Sequence, residues 1–238
     1  MKDIIILPTY NERENVGLII PLIFKYTPDI HVVVVDDNSP DGTADNVRKL
    51  MTIYPHVSLI SRDKKEGLGR AYIHAFREVL VHEDVQSIIM MDADLSHDPS
   101  VLLELIRLSR IYDVVVGSRY IRGGGTIGWE LWRRLLSRYG NIYCRMITRM
   151  GIHDCTGGFN MIRADMLRKI DFDNINSSGY AFAIELKYRL YTIGAKFIET
   201  PIIFKNRING ESKISNHVIS EGIWAPLKMV WRKGTIKR

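Results

Sequence analysis

The segment "MDADLS" places Asp92 and Asp94 two residues apart at the end of the apolar run "SIIMM". In extended chain, side chains at i and i+2 share a face, so the two carboxylates converge. Convergent carboxylates beside a substrate phosphate suit Mg²⁺ or Mn²⁺, which bind one or two carboxylates plus phosphate oxygens rather than an all-protein cage. Ser96 could add an oxygen directly or through water. A lone D-x-D is commoner in a solvated turn. Its place at the end of a buried strand favours a site.

A second pair of acids, Asp36 and Asp37, opens "DDNSPDGT" after the run "HVVVV". Turn chemistry alone explains Asp, Asn, Ser, Pro and Gly in such a cluster. Two further strand ends, "PTYNE" and "GSRY", are also polar, and plain connections do not need charge at each one.

The elements that must position these residues alternate. Apolar runs occur at "DIIILP", "HVVVVD", "VSLIS", "SIIMMD" and "DVVVGS". Helical patterns separate them at "ENVGLIIPLIFKY", "GTADNVRKLMTIY", "LGRAYIHAFREVLV" and "PSVLLELIRLS". Continuous apolar strands between helices predict an α/β fold, a Rossmann-like and mostly parallel sheet covered by helices on both faces. Ligands bind such sheets at the carboxyl ends of the strands. Beyond Gly125 the pattern predicts a helix over 129–150. Its stripe comprises Trp132, Leu135, Leu136, Tyr139, Tyr143, Met146, Ile147 and Met150. "DCTGGFNMI" reads as a Gly-rich turn entering a strand, and "SGYAFAIELKYRLYTIG" as a helix. "AKFIETPIIFKNR" reads as two strands broken at Pro201. The domain is expected over 1–213, with a basic amphipathic C-terminal extension over 214–238.

The chain has 238 residues, 46% of them hydrophobic and 25% charged, which fits one globular domain and not a disordered chain. Neither a signal-peptide pattern nor a spanning apolar stretch is present in the sequence. The two cysteines, Cys144 and Cys155, lack zinc spacing and read as buried thiols of a reducing compartment. Residues 119–150 carry seven Arg against one Glu, and 200–238 eight Lys or Arg against two Glu, although the whole chain is only +6. Two basic segments on an acidic body imply an anionic partner, either phosphates or an anionic membrane surface. His97, His153 and His217 lack partners at ligand spacing and read as non-ligands.

Taken together, "PTYNEREN" at 8–15, "DDNSPDGT" at 36–43, "EGLGRAY" at 66–72, "MDADLSHDP" at 91–99 and "GSRY" at 117–120 resemble the dolichol-phosphate mannose synthases. So do "DCTGGF" at 154–159 and "RINGESK" at 207–213. These are inverting glycosyltransferases of the GT-A type within family 2. The resemblance implies transfer of mannose from GDP-mannose to dolichyl or another polyprenyl phosphate, giving the β-linked mannosyl phosphate. UDP-glucose with the same acceptor is the alternative donor.

The resemblance also implies roles. Pro8, Tyr10 and Glu12 would line the base and ribose pocket, with Val35 and Asp37 opposite. Asp37 would face the nucleotide while Asp36 braces the turn. Asp92, Ala93 and Asp94 would meet the donor diphosphate, Asp92, Asp94 and Ser96 holding Mg²⁺ or Mn²⁺. Arg207 and Lys213 would close over the diphosphate. Arg119, Arg133 and Ser137 would bind the acceptor phosphate, Arg119 and Asp94 carrying most of the catalysis. Gly67 and Gly69 would allow a tight helix entry. Asp154 would shape the acceptor site or play a structural part. Asn160 stands where an arginine is expected. Members with this compact form lack membrane spans of their own, so the implied location is peripheral, on the cytoplasmic face of a membrane. A small membrane-anchoring subunit is a possible partner and nucleic acid is not one.

Rival classes fit less. A nucleotidyltransferase should show a Gly-rich, Lys- or Arg-containing N-terminal loop, which "PTYNERENVG" is not. A non-catalytic basic binding protein leaves the carboxylates at the strand ends unexplained.

Overall fold

The protein is described here by a computed structural model covering residues 1–175, 177, 179–206 and 216–233. All five apolar runs form strands: β1 (Lys2–Thr9), β2 (His31–Asp36), β3 (Val57–Ser61), β4 (Val85–Met90) and β5 (Val114–Ser118). The helices between them are α1 (Arg13–Tyr26), α2 (Thr43–Met51), α3 (Leu68–Val79) and α4 (Leu102–Ser109). The second half adds β6 (Gly125–Ile127), α5 (Leu131–Thr148), β7 (Asn160–Arg163), α6 (Ala164–Leu167) and α7 (Gly179–Thr192). It closes with β8 (Phe197–Pro201), β9 (Ile203–Lys205) and α8 (Asn216–Lys233).

The main sheet has seven strands in the order β3-β2-β1-β4-β7-β5-β8. Every pairing is parallel except those of β7, which runs antiparallel between β4 and β5. Strand alternation sorts the core into two layers. Ile4, Ile6, Val33, Val35, Ile88 and Met90 face α3 and α7, whereas Ile5, Leu7, Val32, Val34 and Ile89 face α1, α2 and α4. Both layers are apolar, as the unbroken runs require. β6 and β9 form a small parallel pair that carries the chain past the end of β5.

Helix α3 starts abruptly. Gly67, at φ +98°, turns the chain into it, and a Cβ on Gly69 would lie 2.9 Å from the Phe182 ring of α7. Gly67 thus allows the tight helix entry, and Gly69 lets α7 approach α3 closely.

Helix α5 packs through its small and polar side chains. Its buried side chains are Asn141, Cys144 and Thr148, while Trp132, Leu135, Leu136, Tyr139, Ile142 and Met146 are exposed. Of the expected stripe, Met150 is buried just beyond the helix. The small and polar face packs inward because it hydrogen-bonds the adjoining loop, leaving most of the apolar stripe outside. Helix α8 lies against α5 and α7, and Tyr143 donates to the Ile223 carbonyl at 2.9 Å. Trp224, Leu227, Val230 and Trp231 of α8 are exposed as well. Among the described residues, no helix is long and apolar enough to cross a membrane.

Candidate active site

The carboxyl ends of β1, β2, β4 and β5 lie along one edge of the sheet. Parallel register sets Pro8 beside Val35 and Thr9 beside Asp36. The two adjacent acids then separate by strand alternation. Asp36 accepts from Thr9 Oγ1 at 2.9 Å, the Ser39 amide at 2.9 Å and Ser39 Oγ at 2.6 Å, so it braces the turn. Asp37 pairs instead with Arg62 at 2.6 Å, both side chains buried, and Arg62 also reaches Glu66 at 2.6 Å. Burial pushes the Asp37 carboxyl above its ordinary value, against the pull of Arg62. Tyr10 carries the Lys65 ammonium 3.8 Å from its ring centroid. Glu12 precedes α1, its amide donating to Thr43 Oγ1 and its carboxylate accepting from Asn15 Nδ2 at 2.6 Å. Arg62, Lys65 and Glu66 are additions that sequence reasoning missed. Only the shared "EGLGRAY" neighbourhood hinted at them.

At the end of β4 the D-x-D loop folds back on itself. Asp94 is buried and accepts from the Ser96 amide at 3.1 Å. Leu95 between them has φ +64°, a conformation that costs a bulky residue energy and often marks a functional turn. Asn11 and Asn38, at the ends of β1 and β2, also have positive φ. His97, read from sequence as an unremarkable histidine, is buried beneath this loop. Its Nδ1 accepts from the Asp92 amide at 3.0 Å, and its ring stacks on Phe159 at 4.7 Å. Ala93 is buried between the two acids.

Oxygen donors alone occupy this loop, as Mg²⁺ or Mn²⁺ requires. The buried Ser96 Oγ has no hydrogen-bond partner among the described residues. Asp92, Asp94 and Ser96 thus fit such an ion chemically. Among the described residues there is no group of three or more His, Cys, Asp or Glu side chains suited to a metal.

The end of β5 supplies the cationic side. Asp154 accepts from the Arg119 amide at 3.0 Å and from Arg119 Nε and Nη2 at 2.8 Å each, while Thr156 Oγ1 accepts from Nη2 at 2.8 Å. Although burial raises the Asp154 carboxyl, the charge and hydrogen bonds of Arg119 hold it below the ordinary carboxylate value. Trp129 gathers the cations. The Arg133 guanidinium carbon lies 4.2 Å from its ring centroid and that of Arg119 5.5 Å. Tyr120, next to Arg119, donates to Ser137 Oγ at 2.6 Å. Arg119, Arg133 and Ser137 are therefore brought together. Trp129, just before the start of α5, is the ring the two arginines share. The Lys205 amide of β9 donates to the Ser96 carbonyl at 3.2 Å, joining the two sides. Arg207 and Lys213, just beyond, lie outside the described residues.

An open α/β sheet with one antiparallel strand near its middle, and acidic residues at its strand ends, defines the GT-A class of nucleotide-sugar transferases. Among solved structures of that fold, the chain is similar to a mannosyltransferase from Pyrobaculum calidifontis in complex with GDP-Man and Mn²⁺. That match has a TM-score of 0.62 and 17% identity, covering 100% of this chain and 65% of that one. It is also similar to glucosyl-3-phosphoglycerate synthase from Mycobacterium tuberculosis with Mg²⁺ and UDP (TM-score 0.70, 14% identity, 97% of this chain and 79% of that one). At these identities the likeness concerns the fold.

Sequence comparison carries further. Residues 4–171 match the glycosyl transferase family 2 profile, and the chain belongs to that family. It is 39% identical over 223 residues to the undecaprenyl-phosphate mannosyltransferase of Micrococcus luteus, covering 94% of this chain and 91% of the relative. It is 40% identical over 226 residues to the polyprenol monophosphomannose synthase of Mycolicibacterium smegmatis, covering 94% and 84%.

Proposed function

We infer that this glycosyltransferase moves mannose from GDP-mannose to a polyprenyl phosphate, inverting the anomeric centre to give polyprenyl β-mannosyl phosphate. The observation that carries the reading is a pair of facing clusters joined by the Lys205–Ser96 backbone hydrogen bond. Carboxylates at the end of β4 face the donor side, and a guanidinium pair around Trp129 forms the acceptor side. The two polyprenyl-phosphate mannosyltransferases, similar over 94% of the chain, support the same substrates.

The chemistry suits these residues. A phosphate monoester has a second pKa of about 6, so the acceptor is largely a dianion near neutral pH and needs no strong general base. The task left to the protein is positioning and charge neutralisation. Arg119, Arg133 and Ser137 aim the acceptor oxygen at the anomeric carbon. That oxygen forms the new bond from the face opposite the nucleoside diphosphate, whose bond to the sugar breaks. Pro8, Tyr10, Glu12, Val35 and Asp37 hold the nucleoside, while Arg207 and Lys213 close over the diphosphate. Mg²⁺ or Mn²⁺, when bound by Asp92, Asp94 and Ser96, neutralises charge on the departing diphosphate.

The lipid acceptor requires a membrane-facing surface. The exposed apolar residues of α5 and α8, flanked by Arg134, Arg138, Arg145 and Arg149, supply one suited to the headgroup region. On this reading the protein is peripheral, and 214–238 is the anchoring extension of a 1–213 catalytic domain.

The test is a panel of sugar nucleotides against one polyprenyl phosphate, with and without divalent metal. GDP-mannose should be the preferred donor. Preference for UDP-glucose would keep the acceptor and change the donor assignment. Turnover that ignores the lipid phosphate would refute the reading.

A further inference from the structure

Lys187 lies in the middle of α7 and is only 1% exposed. Its Nζ donates to the carbonyls of Gly157 at 2.6 Å, Cys155 at 3.0 Å and Asp154 at 3.3 Å. An ammonium has three donors and no acceptor, whereas a neutral amine would aim its lone pair at one of these carbonyls. Three convergent carbonyls therefore select the protonated form. Burial pushes Lys187 below the ordinary lysine value, and the Asp154 carboxylate pulls it back up.

The same short loop grips Arg119 with its other face. Asp154 is fully buried and takes the guanidinium fork, the Arg119 amide and the Gly157 amide at 2.8 Å. The turn is tight enough that a Cβ on Gly157 would sit 3.1 Å from Asp154 Oδ1. Asn160, where an arginine was expected, donates to the same Gly157 carbonyl at 3.1 Å. Behind the loop, Glu199 accepts from the amides of His153 at 2.8 Å and Asp154 at 3.0 Å, and pairs with the His153 ring.

Charge decides what this arrangement can do. Arg119 and Asp154 alone form a neutral pair, which attracts a phosphate dianion poorly. With Glu199 and Arg133 counted, two carboxylates cancel two guanidiniums, so without Lys187 this side carries no net positive charge. We propose that Lys187 is a positioning residue for the transfer. It clamps the 154–157 loop through its carbonyls and, as a buried cation, keeps the Arg119 side attractive to the acceptor phosphate. The inference rests on the reading of Arg119 as an acceptor-phosphate ligand.

Steady-state kinetics with polyprenyl phosphate as varied substrate test it. Lys187→Gln keeps two amide donors for the carbonyls and removes the charge. It should raise the acceptor KM more than about tenfold, since one unit charge acting on another across roughly 10 Å at an effective dielectric of about 20 already gives that much and the acceptor is a dianion. The donor KM and the kcat at saturating acceptor should stay close to wild type. Asp154→Asn added to Lys187→Gln removes the opposing charge and should recover much of the acceptor KM. In the double variant the Arg119 guanidinium loses its carboxylate but keeps Thr156 Oγ1 and the amide oxygen at position 154 as acceptors, so this variant also serves where Lys187→Gln alone does not fold. A purely structural clamp would instead make the double variant worse than the single one, which overturns the proposal. So would a folded Lys187→Gln variant with an unchanged acceptor KM. Arg119→Ala separates the two readings: if it leaves the acceptor KM unchanged, the acceptor-site assignment itself fails, whatever Lys187 does.

Discussion

The amide of Asp92 donates to Nδ1 of His97 at 3.0 Å, which leaves Nε2 as the protonated nitrogen, 4.0 Å from the Asp92 carboxylate. The histidine thus holds the D-x-D loop by its backbone and faces its first carboxylate with an N–H. Burial keeps the ring below its ordinary pKa, in the neutral form this geometry needs. Residues that orient ligands typically matter about 10–100-fold in metal affinity. His97→Phe, which keeps a ring against Phe159, should shift half-activation by Mn²⁺ upward by about that range. Asp94→Ala should remove nearly all transfer at any metal concentration without unfolding the protein. An unchanged metal titration for His97→Phe would show that the loop holds its shape without the histidine.

A second prediction concerns acid stability. Asp154 is held below the ordinary carboxylate value when folded, so the unfolded chain takes up its proton first as pH falls. Its contribution is full above the unfolded value near 3.8 and is lost as pH drops through the lower folded value. Melting temperatures of wild type and Asp154→Asn should therefore differ most near neutrality and converge toward pH 3. A constant difference across that window would deny Asp154 its depressed pKa.

Membrane attachment gives a third. Near an anionic leaflet each cation contributes on the order of 1 kcal/mol, so several arginines on α5 suffice for reversible attachment. Co-sedimentation with anionic vesicles should be strong at low salt and weaken at high salt. Trp132→Ala, Trp224→Ala or removal of 232–238 should reduce it. Lack of affinity for any vesicle would assign lipid contact to a separate membrane subunit.

How far the sequence could be read depended on how local the determinants were. The five β-branched runs specified their strands because each run is apolar on both faces. Asp36 as the brace of its turn was implied by the resemblance, and alternation, a local rule, sends Asp37 the other way to Arg62. The insertion of β7 between β4 and β5 was not legible, since "FNMI" is short and its partners are remote in the chain. The stripe of α5 was legible, but the residues that seat the helix were not: Asn141 donates to Thr156 Oγ1 at 3.0 Å and the Thr156 amide donates back at 3.0 Å, turning the polar face in. Lys187 read as an ordinary helical lysine because its three carbonyls belong to a loop about thirty residues earlier.

The central claim is inverting transfer to a lipid phosphate, and the configuration of the product tests it most directly. Purified protein, GDP-mannose, Mn²⁺ and a polyprenyl phosphate should yield a mannosyl phospholipid. Its anomeric one-bond carbon–hydrogen coupling, read by NMR, should be that of the β-linkage, with GDP released in equal amount. An α-linked product, or GDP released without mannosylated lipid, would contradict the account.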